Sequence, residues 1–153
     1  RNAVYLQQMI QNTLIYGSDE AGGSQKKLEE INKQAKKHDR IIDCLLQIKI
    51  AQEDSKFGIS PEDASALVQS DAFSELKYIN VIGVMGMATF TDNKEQVESE
   101  FKCLKSTFEA LKTQDSDLKI ISMGMSGDYQ LAIECGSNMI RVGSRIFGAR
   151  NYQ

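Results

Sequence analysis

The chain has 153 residues, 41% of them hydrophobic and 25% charged, and a net charge of −3. That is enough for one ordinary globular domain with its own core, and it offers no positive field for nucleic acid. No apolar run approaches the ~20 residues of a membrane-spanning helix and the amino end lacks a secretory pattern, so neither a membrane nor nucleic acid is an expected partner.

The chain opens on Arg1-Asn2 and runs at once into Ala3-Val4-Tyr5-Leu6, with no initiator methionine, which reads as a fragment or a processed chain. Thr13-Leu14-Ile15-Tyr16 predicts a short strand, and the polar, glycine-rich residues 17–25 predict a flexible loop. A helix is predicted over residues 25–38, with Leu28, Ile31 and Ala35 on one face. His38, the single histidine, falls at its end among charged neighbours, the place of a solvated side chain rather than a catalytic base. Residues 41–50, IIDCLLQIKI, form a nearly continuous apolar run, as a parallel strand covered on both faces would. A loop carrying Lys56-Phe57-Gly58 follows. Ser60-Pro61-Glu62-Asp63 then supplies a hydroxyl cap, a proline at the first helical position and acids in the first turn, with Ala64, Leu67 and Val68 on the buried face.

Residues 78–87, YINVIGVMGM, predict the next buried strand. Asp92 with Glu95 resembles a capping box. Behind it Val97, Phe101, Leu104, Phe108 and Leu111 make a helical stripe suited to packing on a sheet. Residues 118–123 predict a strand, 128–135 a short helix stopped at Gly136, 139–142 the last strand, and 144–148 a final short helix or turn. Cys44, Cys103 and Cys135 are odd in number, far apart and set in apolar patterns, which predicts buried thiols in a reducing, cytoplasmic setting.

Strands alternating with helices over connections too long for hairpins imply an α/β fold with a parallel sheet. Two architectures fit, an open doubly wound sheet or part of a closed (β/α)8 barrel. No GxGxxG follows a strand, which removes the commonest dinucleotide fingerprint. Both late strands end in small residues, Gly124-Met125-Ser126 and Gly143-Ser144. Their hydroxyls and amides could cradle a phosphate, and barrels often hold phosphate after their last two strands, which favours the barrel. Arg141, one step inside the last strand, is a permanent cation in an apolar segment.

Ser122-Met123-Gly124-Met125-Ser126-Gly127-Asp128, Ala132-Ile133, Gly136-Ser137, Arg141-Val142-Gly143-Ser144 and Ile146-Phe147-Gly148-Ala149-Arg150 together resemble the pyridoxal-phosphate homeostasis (YggS-type) family. Gly83-Val84-Met85-Gly86-Met87-Ala88 and Asp54-Ser55-Lys56-Phe57-Gly58 resemble two further motifs of that family in the same order. The likeness covers roughly residues 26–152. It implies an alanine-racemase-like barrel of PLP fold type III, in which residues 1–153 form one domain holding only strands four to eight. The lysine that anchors pyridoxal 5′-phosphate (PLP) covalently would precede this chain, so no catalytic residue is assigned and no metal is expected. By the same resemblance Ser126, Gly143, Ser144, Met125 and Gly124 line the cofactor site and Arg141 faces the pyridine nitrogen; Met85 and Met87 fit the pocket wall and the core equally well. The function implied is intracellular PLP homeostasis without a committed reaction. The alternatives are a racemase-type PLP enzyme, or a barrel fragment that holds PLP or another phosphate-bearing small molecule without the covalent bond.

Overall fold

A computed structural model describes residues 14–15, 23–53 and 57–148. The predicted loop over 17–25 lies outside these residues as far as residue 22, as do the opening residues, Lys56, Ala149 and Arg150. Five strands are present: β1 (Leu14–Ile15), β2 (Ile42–Gln47), β3 (Ile79–Met85), β4 (Ile120–Met125) and β5 (Met139–Arg141). The helices are α1 (Gly23–Lys37), α2 (Pro61–Val68), α3 (Asp71–Ser74), α4 (Lys94–Gln114), α5 (Tyr129–Glu134) and α6 (Ser144–Phe147). Helix α1 begins two residues before its predicted start, and β2 is shorter than the apolar run that announced it. Past Gln47 that run is held instead by a parallel bridge from Ile48 to Ile59.

The sheet resolves the choice between architectures. Every strand lies beside its sequence neighbour, in the order β1-β2-β3-β4-β5, and every pairing is parallel. A doubly wound sheet reverses direction at a switch point, whereas a barrel winds one way throughout. Right-handed crossovers then place the helices on one face. That face carries the core: Cys44, Leu46, Val81, Val84, Ile121 and Met123 pack with Leu28, Phe101, Leu104 and Leu111.

Local chemistry sets the helix starts. Ser60 Oγ accepts from the Asp63 amide at 3.0 Å, with Pro61 in the first turn, as the sequence predicts. The α4 cap falls one residue after the predicted Asp92. Asn93 Oδ1 accepts from the Gln96 amide at 3.1 Å while the Asn93 amide donates to Thr91 Oγ1, so the loop delivers Asn93 to the cap position. Helix α3 was not anticipated; Ser70 Oγ caps it by accepting from the Phe73 amide at 3.2 Å. Gly58 has φ +147°, and a Cβ there would stand 2.5 Å from the Lys49 nitrogen, so the strap that covers the end of β2 admits only glycine.

Cys44 is buried and Cys135 half-buried, but Cys103 is exposed, contrary to the sequence expectation. It lies on α4 off the Val97–Leu111 stripe, facing away from the sheet. His38 is exposed just past α1. Among the described residues, no helix is long and apolar enough to cross a membrane, and no group of three or more His, Cys, Asp or Glu side chains could hold a metal ion.

Candidate functional site

Side chains reinforce the parallel pairing of β4 with β5. Strand β5 is only three residues long, and the residues before it supply the missing ladder. Asn138 Oδ1 accepts from the Ile121 amide at 2.8 Å, and its Nδ2 donates to Lys119 O at 2.7 Å. Ser137 Oγ donates to Met123 O at 2.7 Å. These contacts fix the height at which β5 ends beside β4. The two small-residue turns then meet: the Gly143 amide donates to Ser126 Oγ at 3.1 Å. Asp128 Oδ1 accepts from the Met125 amide at 2.6 Å, which sets the turn between β4 and α5; its side chain does not cap α5.

Two of the predicted site glycines behave differently. A Cβ built on Gly143 would meet no atom within 4 Å, and the same holds for Gly127 in the facing turn, so both border open space. A Cβ on Gly124 would instead stand 2.6 Å from Ala132 Cβ, so Gly124 lets α5 pack closely on β4. Gly143 O accepts from the Ile146 and Phe147 amides, at 3.0 and 2.9 Å. The Ser144 and Arg145 amides precede the first such bond and open the last short helix. The hydroxyl of Ser126 accepts from Gly143 and keeps its own hydrogen to donate.

Arg141 and Met85 belong to the opposite face of the sheet from the helices. Register places Gln47 opposite Met85 and Met85 opposite Ser122, while Arg141 pairs with Met125. Arg141 Nη2 donates to Gly86 O at 3.0 Å, so the guanidinium spans from β5 across β4 to the end of β3. Among the described residues, Gln47 Oε1 and Ser122 Oγ are buried side-chain acceptors without a hydrogen-bond partner. Both lie on this face, flanking Met85. Gln47 is otherwise held, its Nε2 donating to Phe57 O at 2.7 Å.

One positioning residue escaped the sequence reading. Glu100 is buried, and its carboxylate accepts from the Thr89 amide (2.6 Å), Thr89 Oγ1 (2.7 Å), Gln96 Nε2 (3.1 Å) and the Gln52 amide (3.3 Å). It thereby ties the loops after β2 and β3 to α4. Its spacing carried a signal: three residues after Val97 and four before Leu104, it lies on the buried stripe. A cleft of about 360 Å³ opens beside the paired turns, lined by Asp92, Lys94, Asp128, Gln130 and Glu134 among others.

Comparison with known proteins agrees with this fold. The pyridoxal phosphate homeostasis protein of Haemophilus influenzae is 36% identical over 126 residues, which is 81% of this chain and 52% of that protein. Solved structures of PipY from Synechococcus elongatus superpose with TM-scores of 0.74 without PLP and 0.73 with PLP bound. Their identities are 28% and 25%; the matches cover 80% and 88% of this chain and 57% and 59% of those chains. The chain thus spans about half the length of the relatives it matches. The family model described as alanine racemase, N-terminal domain, matches residues 5–151, and its barrel accounts for five parallel strands wound in one direction. The chain belongs to the alanine racemase N-terminal-domain family.

Proposed function

We propose that this chain holds the phosphate of pyridoxal 5′-phosphate in the paired turns after β4 and β5, and serves PLP homeostasis in the cytoplasm rather than a committed reaction. The observation that carries the reading is the Ser126–Gly143 hydrogen bond, with open space at both Gly127 and Gly143. Neither turn is blocked at these glycines, and the hydroxyls of Ser126 and Ser144 with the Ser144 amide would supply donors to a phosphate. Hydrogen bonds to an ionised acceptor contribute about 1.5–3 kcal/mol each, so several could retain a phosphate ester without a covalent bond. The name of the Haemophilus relative and the PLP bound in PipY support the choice of ligand.

Bound PLP supplies an electron sink whose strength depends on protonation of its ring nitrogen. Arg141 lies on the inner face with its guanidinium braced on Gly86 O, where it would meet the ring. A guanidinium only donates hydrogen bonds, so it leaves that nitrogen unprotonated and the sink weak. This favours holding over catalysis.

Titration of the chain with PLP, followed by the change in PLP absorbance, tests the reading. Saturable binding is expected, and Arg141→Ala should weaken it about tenfold or more, the equivalent of one charged hydrogen bond. No saturable uptake at ~1 mM PLP, an affinity too weak for a carrier, overturns it.

A further inference from the structure

We propose that Arg145 is a specificity-determining residue that selects phosphorylated over phosphate-free ligand; this rests on the phosphate site proposed above. The guanidinium carbon of Arg145 lies 5.6 Å from the centre of the Tyr129 ring. Tyr129 is the first residue of α5, three after Ser126, and Arg145 is the second of α6, two after Gly143. The cation–ring contact therefore joins the same two turns as the Ser126–Gly143 hydrogen bond, and Gly143, Ser144 and Arg145 are all exposed.

Charge explains why such a residue is needed. A phosphate monoester carries close to two negative charges at neutral pH. In the same turn as Ser126 lies the Asp128 carboxylate, fixed on the Met125 amide, which repels that charge. The chain as a whole is negative, at −3. Arg141 reaches away from the turns along the inner face to Gly86 O. Arg145 is a cation carried on the second of these turns, and its contact with the Tyr129 ring holds the guanidinium in place while leaving its N–H groups available to an oxyanion. A single charge a side chain's length from a dianion, near a protein surface, shifts affinity by roughly three- to tenfold, and salt screens it.

The experiment measures dissociation constants of PLP and of pyridoxal, which lacks the phosphate, at about 20 mM and about 500 mM salt. Arg145→Gln should weaken PLP binding roughly three- to tenfold at low salt, with the difference closing at high salt and pyridoxal affinity unchanged. Arg145→Lys should recover most of the loss. Tyr129→Leu should reproduce part of it, since the cation stays but its perch is gone. Two results overturn the inference: unaltered PLP binding by Arg145→Gln at low salt, or an equal loss for PLP and pyridoxal, which would mark a structural effect. Failure of the unsubstituted chain to bind PLP sinks the underlying reading and this one with it. Normal PLP binding by the unsubstituted chain beside an unaltered Arg145→Gln sinks this one alone.

Discussion

Leu46 on the helix-facing side of β2 and Gln47 on the other side are each 1% exposed, yet they occupy opposite kinds of interior. Leu46 shares an apolar cluster with Cys44, Val84, Ile121 and Met123 from the strands, and with Phe101 and Leu104 from α4. Around Gln47 the inward row runs Gln47, Met85, Ser122, with Arg141 reaching across from β5. The first face contributes stability through apolar area removed from water, about 25 cal/mol per Å². The second buries polar atoms that gain little from burial and lose hydrogen bonds to water. Equal burial with unequal satisfaction separates the scaffold from the face that the proposed function assigns to a ligand.

The sharpest way to break that comparison is to empty the helix-facing side. Phe101 is fully buried at the centre of the core, and Phe101→Ala should remove about 3–5 kcal/mol of stability, read as a lower urea midpoint. A loss below ~1 kcal/mol would mean that α4 does not anchor the sheet.

A titration on the same face gives the next largest effect. Burial first, and the neighbouring Asp43 charge second, push the Cys44 thiol up from 9.0 to about 11. The folded chain therefore holds this proton more tightly than the unfolded one. The stabilisation is complete below pH 9 and is lost as pH rises from about 9 to about 11, amounting to about 2–3 kcal/mol. The difference in stability between the parent chain and Cys44→Ala should narrow across that window. A difference that stays flat with pH would place the thiolate in contact with water and deny that this face is dry.

The helix-facing side was the legible one. Its strands showed as short apolar runs and α4 as a 3.6-residue period, with Val97, Phe101, Leu104, Phe108 and Leu111 picked out by alternating steps of four and three. The inward face carries no comparable period. Gln47 and Ser122 occur inside apolar runs, where single polar residues look like interruptions, and only the register of three strands shows that they flank Met85. Helix α3 escaped because four residues are too few to display a period. Asn93 displaced Asp92 as the cap because neighbouring residues of equal capping propensity are distinguished only by the path of the loop. Ser126, Gly143 and Ser144, the residues proposed to cradle phosphate, stood out by composition. The Ser137 and Asn138 contacts that align β5, and the Arg145–Tyr129 contact, depend on residues fourteen or more apart meeting in space.

The smallest effect probes the inward face itself and has the opposite sign. Ser122 Oγ is buried without a hydrogen-bond partner, so its burial costs desolvation that no bond offsets. Ser122→Ala removes that cost along with one small atom, and stability should stay level or rise by up to about 1 kcal/mol. The corresponding truncation on the other face, at Phe101, acts in the opposite direction and by severalfold more. Urea denaturation of the Ser122→Ala chain, set beside the parent, gives the sign directly. A fall of more than ~1 kcal/mol would show that the hydroxyl is bonded in solution, through an ordered water or a neighbouring carbonyl. The inward face would then be a satisfied polar core, held together by its own hydrogen bonds, and Ser122 would count as part of the scaffold.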